Sequence, residues 1–399
     1  MIPFVSALNW SSSSVIEAIY YPYKYLATGV IFLCAIFMFL TGKIKIKKRI
    51  SKSTNKNKIA LLFVIYYFIY IINTILQTQD YLETTLKACI PEIAFIVLMI
   101  LWFNYDIRKA TRTISRLFIF YTLINLFLGI VAPGMFGTEK YDARNTYLLG
   151  ERNALIYFLL PALIMVIVDH HINGTGRKTT WLMLVIVSIT VIITGSSTAL
   201  AVVLICFMLL VLTSSKVKWA NRILAINIKA KTLGMLYVIL WIMIILIQNV
   251  SVFSFFIEGI LGRSLTFTNR TLIWDKALIL ISESPLFGYG GYFVQHIKIG
   301  GWTTYTCHNF FLQNMVDAGA VSIVVLVIIM ILTIREMDQH RNNRLCKTLK
   351  IGIFSIFISC YMESYNMHYI IMLIMYLWYI KENRLLSDGK KCEVELRVE

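Results

Sequence analysis

The sequence predicts an all-α, polytopic membrane protein with about eleven transmembrane helices and one large external loop that contains short amphipathic helices. Hydrophobic residues make up 58% of the 399-residue chain, and the mean hydropathy is +0.72. Soluble domains contain about 45–50% apolar residues. Apolar runs of about 17–25 residues recur along the whole chain, and a helix of that length crosses a bilayer.

Each predicted span begins where an apolar run follows a polar connector. The expected starts lie near Tyr25, Ile59, Ala88, Leu117, Asn153, Thr179, Ala199, Thr232, Phe310, Ile351 and Tyr369. We therefore predict three regions: an N-terminal bundle of about eight spans over 1–249, a large external loop over 250–309, and C-terminal helices with a cytoplasmic tail over 310–399.

The basic residues indicate which side of the membrane each connector occupies. The net charge is +17, and 29 of the 38 Lys and Arg residues fall in alternate connectors, such as KIKIKKRISKSTNKNK (43–58), NYDIRKATRTISR (104–116) and the tail from Lys381. By the positive-inside rule those connectors are cytoplasmic, which places the loop 250–309 and the N-terminus outside. Because the charge is explained by topology and anionic headgroups, we expect no nucleic-acid partner.

The external loop contains a helical pattern in NRTLIWDKALILIS. One face of this helix presents Ile273, Trp274, Ala277, Leu278 and Ile281, and the pattern predicts a short amphipathic helix lying at the outer membrane surface. The helix is expected to end at SPLFGYGG, where a proline and three glycines favour a turn.

Arg270 is the first candidate for chemistry in this loop. Thr268 or Asn269 is the expected N-cap, which puts Arg270 in the first turn and Trp274 one turn later on the same face. A cation at a helix N-terminus opposes the dipole, so its presence favours an anion bound between the guanidinium and the free N–H groups. The alternative is an arginine that snorkels to lipid headgroups. Arg263 is a second anion contact or an ordinary surface charge.

His308 opens the polar stretch CHNFFLQNMVDAG (307–319), which leads directly into the apolar run VSIVVLVIIMILTI. A helix N-terminus and partial burial both favour a neutral imidazole, which is a competent general base. Asn309 and Gln313 follow along the first turns and are candidates for orienting a polar ligand, because polar groups at membrane depth face an interior or a cavity. The alternative for His308 is an interfacial anchor.

Other chemistries lack a sequence signal. The seven cysteines show no CxxC and no paired spacing, no HxxxH or carboxylate cluster of metal-ligand type occurs, and there is no Walker loop. We therefore expect no metal and no cofactor.

The residues already singled out resemble a known family. NRTLIWDKALILISESPLFGYGG, followed by HNFFLQNMVDAGAVSIVVLV, is similar to the O-antigen polymerase (Wzy-type) and O-antigen ligase superfamily of many-span membrane glycosyltransferases. Arg270 with Trp274, the PLFGYG turn, and His308 with Asn309 and Gly319 match the family pattern. A weaker echo is RNTYLLGERNALIYFLLPAL, which carries Arg144.

The chain departs from the family pattern in two places. Ser197 in TGSSTAL stands where many relatives have an arginine, so Arg263 or Arg144 is expected to take over that phosphate contact. Ser322, three residues after Gly319, replaces the Gly, Thr or Tyr of the ligases, which slightly favours a polymerase.

The resemblance implies a metal-independent glycosyltransferase in the cytoplasmic membrane with an extracytoplasmic catalytic loop. The donor would be a polyprenyl diphosphate that carries an oligosaccharide, and the product would be O-antigen, capsule or exopolysaccharide. Arg270 and His308 would be catalytic: the arginine would stabilise the departing diphosphate, and the histidine would accept the proton of the attacking hydroxyl. Arg263, Trp274, Asn309, Arg144 and Gln313 would bind substrate.

Two other functions remain open from the sequence. A ligase that transfers finished glycan to a terminal acceptor belongs to the same class. A transporter or flippase for lipid-linked sugars belongs to another, and such proteins carry charged or broken helices near the bilayer midplane. The implied partners are membrane lipid, a flippase and a chain-length regulator.

Overall fold

The computed structural model describes twelve stretches of the chain. They are residues 14–41, 55–77, 81–133, 146–196, 199–204, 206–207, 229–247, 270–291, 297–299, 301–304, 306–364 and 367–382.

Helices dominate the described residues, as the sequence predicts. The helices are α1 (Ser14–Leu40), α2 (Asn55–Gln77), α3 (Leu82–Val131), α4 (Ile156–Asn173), α5 (Arg177–Thr194), α6 (Ala230–Trp241) with a π-helical turn (Ile242–Leu246), α7 (Arg270–Glu283), α8 (Phe310–Gln339), α9 (Arg344–Ser359) and α10 (His368–Glu382). Two short antiparallel hairpins complete the described elements: β1 (Thr146–Tyr147) with β2 (Gly150–Glu151), and β3 (Ile297–Ile299) with β4 (Trp302–Thr304).

The all-α, multi-pass prediction is confirmed. A helix is present near every predicted span start, including the helical stretch at 199–204. Among the described residues, six helices are long and apolar enough to cross a membrane, and α6 with its π-helical turn and α10 are shorter apolar helices. The division into three regions stays a prediction, and 250–269 lies outside the described residues.

The connector predicted at 104–116 is much shorter in the structure. Helix α3 contains a single non-helical residue, Asp106, with φ −161° and ψ 97°, and the chain is helical on both sides of it. Arg108 and Arg112 therefore lie on the first turns of the second helical half rather than in a loop. The Asp106 side chain accepts a hydrogen bond from Lys109 N at 2.9 Å, which caps that half.

The bundle is built around α4 and α10. In the 18-residue apolar stretch of each helix, 78% of the residues are buried inside the protein in α4 and 6% in α1. Helix α4 is therefore central and α1 is peripheral. Helix α10 is buried along almost its whole described length and packs against α2, α3, α4 and α9. Lipid-facing helices expose one apolar face, whereas these two are surrounded by protein.

Helix α7 has the predicted apolar face, with Ile273, Trp274 and Ala277 buried together with Leu280. That face is covered by protein: α7 packs against α8, and Trp274 joins a small core with Ile245 of the π-helical turn. Helix α7 therefore adds a second, smaller core beside the main bundle.

Helix α8 is broken nine residues after it starts. Gly319 has φ 65° and ψ −172°, and the turn after α7 supplies backbone partners for the break. Tyr289 N donates to Val316 O at 2.8 Å, and Ala320 N donates to Pro285 O at 2.9 Å. The PLFGYGG turn thus fills the gap that the lost helical hydrogen bonds would leave.

Both glycines at this contact are required by space as well as by φ. A Cβ on Gly319 would lie 2.2 Å from Leu286 O, and a Cβ on Gly288 (φ 66°) would lie 2.5 Å from Val316 O. Asn73 of α2 closes the arrangement by donating to Phe287 O at 3.0 Å and to Ala318 O at 2.8 Å.

Candidate active site

Three separate segments bring one charged or ionisable side chain each to a common point. Arg270 is the first residue of α7, His308 lies in the turn before α8, and Glu363 lies in the turn after α9. Phe310 N donates to Cys360 O at 3.0 Å, which ties the second turn to the third. Tyr361 strengthens this junction, because its hydroxyl donates to Tyr237 O of α6 at 2.6 Å and the two rings stack.

Glu363 bridges the other two side chains. Arg270 Nη2 donates to Glu363 Oε1 at 2.5 Å, and His308 Nδ1 donates to Glu363 Oε2 at 3.1 Å. Arg270 Nη1 also donates to the carbonyl of Met362. The carboxylate and the guanidinium side chains are only 12% and 14% exposed, whereas the imidazole is 34% exposed. The histidine is therefore the most accessible member of the cluster.

The charges around Glu363 stabilise its ionised form. Burial alone would raise the pKa of this carboxyl group, but the hydrogen bond from His308 and the positive charge of Arg270 outweigh burial and hold the pKa below its usual value. The carboxylate is thus a fixed negative charge between a cation and an imidazole.

The turn that carries His308 has an unusual backbone. His308 has φ 46°, a left-handed conformation that is uncommon for residues other than glycine. Neighbouring groups hold it there: His308 N donates to Thr306 Oγ1 at 3.2 Å, and Cys307 N donates to Gln313 Oε1 at 3.0 Å. Because Nδ1 donates to Glu363, Nε2 is the ring nitrogen left to accept a proton. Such outliers cluster at functional sites.

Asn309 is fully buried and caps α8. Its Oδ1 accepts from Phe311 N at 3.1 Å and Leu312 N at 3.0 Å, and its Nδ2 donates to Tyr361 O at 3.1 Å. The predicted contact between Asn309 and substrate stays untested. In the structure, Asn309 fixes the backbone next to His308 and links it to the turn that carries Glu363.

The remaining polar residues of the 307–319 stretch form hydrogen bonds with one another and with neighbouring groups, apart from the buried Oδ1 of Asp317. Gln313 accepts from Cys307 N and donates to Asp317 Oδ2 at 2.9 Å. Asn314 Oδ1 accepts from the hydroxyls of Tyr66 and Tyr70 of α2, the latter at 2.8 Å. These contacts explain why so many polar groups precede an apolar run, and the substrate role predicted for Gln313 stays a prediction.

The other predicted substrate contacts fall into two groups. Trp274 is 0% exposed and lies in the small core under α7, so its side chain supports the position of Arg270. Arg263 and Arg144 lie outside the described residues, as do the expected N-caps Thr268 and Asn269.

A second carboxylate lies near the cluster. Glu151 ends the β1–β2 hairpin, and its pKa is raised by partial burial and by the negative charge of Glu363, with His308 acting in the opposite direction. The hairpin is fixed from beneath, since Leu149 N donates to Asn125 Oδ1 at 3.0 Å. The β1–β2 hairpin is thus brought to the same side of the bundle as His308.

Glu363 is the residue that sequence reasoning missed. It stands 93 residues from Arg270 and 55 from His308, in the connector YMESYNMH. The available signal was an acidic residue in a short connector, predicted to be external, of a strongly basic chain. No group of three or more His, Cys, Asp or Glu residues that could hold a metal ion is found in the part of the chain that the structure describes.

Comparison with known proteins identifies a related family. Residues 182–333 match the family model described as O-antigen ligase. The matched region contains Arg270 and His308 and ends before Glu363. No curated protein matches the chain.

Proposed function

The chain belongs to the O-antigen ligase/polymerase superfamily, and we propose that it is a repeat-unit polymerase acting at the outer face of the cytoplasmic membrane. Members of this family are glycosyltransferase-like enzymes that act on lipid-linked sugars. The proposed reaction joins two polyprenyl-diphosphate-linked oligosaccharides and releases one polyprenyl diphosphate. A flippase that delivers the substrate and a chain-length regulator remain predicted partners.

The proposal is carried by the Arg270–Glu363–His308 cluster. In the proposed step a sugar hydroxyl oxygen of the acceptor bonds to the anomeric carbon of the donor. The bond from that carbon to the diphosphate oxygen breaks, and its electron pair leaves with the diphosphate. The hydroxyl proton passes to His308 Nε2, and positioned proton transfer of this kind contributes about 10²–10⁴-fold to a rate.

Glu363 would stabilise the histidine as it becomes charged. Its Oε2 already accepts from His308 Nδ1 at 3.1 Å, so the imidazolium would form beside a fixed carboxylate. This is the role of the acidic residue in a hydrolase triad, which orients the imidazole and stabilises its charged form without taking the proton.

Arg270 retains donors for a diphosphate. A guanidinium carries five N–H donors, and the two contacts to Met362 and Glu363 leave others for an anion. Because Arg270 lies at the N-terminus of α7, the helix dipole adds to its attraction for phosphate oxygens. Negative charge that develops on the leaving group would be stabilised from this side.

A ligase is the second candidate, and the description of the matched family supports it. The residue that favoured a polymerase in the sequence, Ser322, is fully buried, and its hydroxyl donates to Gly319 O at 2.8 Å. Ser322 therefore helps to close the break in α8, which lowers its value for distinguishing the two activities.

A transporter is the alternative of another class. Transporters carry charged or broken helices, and α8 is broken at Gly319 with Asp317 buried beside the break. The backbone of the PLFGYGG turn fills the break, and Asp317 Oδ2 accepts a hydrogen bond from Gln313. A transporter does not require Arg270 and His308 to act together, so the variants below separate the classes.

The proposed function is tested by complementing a deletion strain with Arg270→Ala or His308→Ala and separating its glycans by electrophoresis. We expect each variant to be present in the membrane and to give single repeats in place of the polymer ladder, whereas His340→Ala should restore the ladder. Long chains retained on the lipid carrier would identify a ligase instead. A normal ladder with both variants would overturn the glycosyltransferase assignment.

A further inference from the structure

A large apolar groove lies between α6, α8 and α9, and Tyr237 and Phe311 at one end of it lie beside the turns that carry His308 and Glu363. Its volume is about 980 Å³. Apolar side chains line most of it, with Val238 from α6, Ile331 from α8 and Phe357 from α9 as examples. Gly234 forms the closest approach of the two main walls, because a Cβ there would lie 2.8 Å from Ile334 Cδ1.

One end of the groove is basic. Lys229, Lys231, Arg335 and Arg341 line it, and Asp338 is the acidic residue among them. Asp338 is already engaged, since its carboxylate accepts from Ala230 N and Lys231 N at the start of α6. Within the described stretches of the chain, none of the four cations forms an ion pair with an acidic side chain.

The groove changes from apolar to charged over a short distance along α8. Leu326, Met330 and Ile334 recur every four residues on one face, and Arg335 and Asp338 follow at the end. The rise from Leu326 to Arg335 is about 14 Å at 1.5 Å per residue. Half of a bilayer's hydrocarbon core is about 15 Å thick. The part of the apolar wall between Leu326 and Arg335 therefore has the depth of one leaflet, with cations where headgroups lie.

We propose that this groove is a specific binding site for an anionic phospholipid of the leaflet on the basic side. The acyl chains occupy the apolar walls, and the phosphate contacts Lys231 and Arg335. Charge complementarity favours this occupant over a zwitterionic lipid, because basic pockets between transmembrane helices select anionic headgroups. The basic end of the groove lies at the end of α8 opposite to the Arg270–Glu363–His308 cluster, so the headgroup site takes no part in the proposed glycosyl-transfer reaction.

The site can be tested with the full chain purified in detergent. Native mass spectrometry would measure binding of phosphatidylglycerol and of phosphatidylcholine with identical acyl chains. We expect one phosphatidylglycerol to bind about tenfold more tightly than phosphatidylcholine, and the Lys231→Gln/Arg335→Gln double variant to lose that preference. Val238→Trp should weaken both lipids, since this residue is 54% exposed and a larger side chain fills the groove without entering the core.

Matched controls separate the site from general surface effects. Arg177→Gln with Lys178→Gln removes two exposed charges at the start of α5, on the same predicted side, and Val185→Trp enlarges a comparably exposed residue of α5. Neither should change lipid binding. Equal phosphatidylglycerol binding by wild type and the charge variant would overturn the proposal. Detection of a polyprenyl phosphate, in place of a phospholipid, bound to both the wild type and the charge variant would also overturn it.

Discussion

At each end of α8 a glutamate contacts one cation and one histidine. At the N-terminal end Glu363 contacts Arg270 at 2.5 Å and His308 at 3.1 Å. Near the C-terminal end Glu336 contacts Lys381 at 2.6 Å and His340 at 3.0 Å. The composition and the distances are nearly the same.

The two clusters differ in how the chain builds them. Glu336 and His340 are one turn apart on the same helix, and their close approach lacks hydrogen-bond geometry. Glu363 and His308 come from different turns, form a hydrogen bond, and require a left-handed backbone at the histidine. A lock between α8 and α10 explains the first cluster fully. In the second cluster a strained backbone at His308 orients one accessible imidazole ring, and backbone outliers of this kind cluster at functional sites.

The largest expected effect separates the two histidines. His308→Gln should lower the glycosyl-transfer rate by about 10²–10⁴-fold, because the proposed proton acceptor is lost while a polar side chain remains. His340→Gln should leave the rate close to that of the wild type, because His340 lies at the opposite end of α8 from Arg270 and His308 and contacts neither of them. The rate would be measured with purified protein and a lipid-linked oligosaccharide. Equal rates in the two variants would remove the functional distinction between the clusters.

The next effect separates the two glutamates. Glu363→Gln should reduce the rate by about 10–100-fold, the range found when an orienting partner of a functional histidine is changed. Glu336→Gln should keep the rate and lower the midpoint of thermal unfolding, because Lys381 loses its partner. The same rate assay would measure both variants, and a Glu363→Gln rate equal to that of Glu336→Gln would mean that the carboxylate of Glu363 is not required.

The sequence predicts this fold well because the deciding signals are local. The length of an apolar run and the charge of the next connector determine a span without reference to distant residues, and every predicted start has a helix. The exception is 104–116, where one non-helical residue, Asp106, replaces an expected loop. Sequence composition does not reveal such a tight junction between two helices. The basic residues that were expected to form a loop, such as Arg108 and Arg112, belong to the next helix.

The site is predicted in part. Arg270 and His308 stand in recognisable local patterns, and the structure brings them to the same carboxylate. Glu363 could not be predicted, because its partners are distant in sequence and its own connector has no pattern. Asn309 shows a different limit: its position before an apolar helix is also an N-cap signal, and the structure shows that cap.

A smaller effect tests the break that separates the two ends of α8. Gly319→Ala should lower the free energy of unfolding by roughly 1–3 kcal/mol or more, because the new Cβ would lie 2.2 Å from Leu286 O. Gly174→Ala is a matched control: its φ is 66°, and nothing lies within 4 Å of the added Cβ. Denaturation in detergent would compare them. If both variants lose the same stability, the cost lies in φ alone and the contact with the PLFGYGG turn is not tight.

The smallest effect is the pH dependence of the stability that the Arg270–Glu363–His308 cluster contributes. The folded pKa of Glu363 is lowered from 4.5, so its contribution to stability is fully present above that value and is lost as pH falls through the lowered folded value. Thermal unfolding of the wild type and of Glu363→Gln should therefore differ most near neutral pH, and the two curves should converge below pH 4.5. A difference that stays constant into the acid range would mean that Glu363 contributes by packing, and the Arg270–Glu363–His308 cluster would then resemble the one around Glu336.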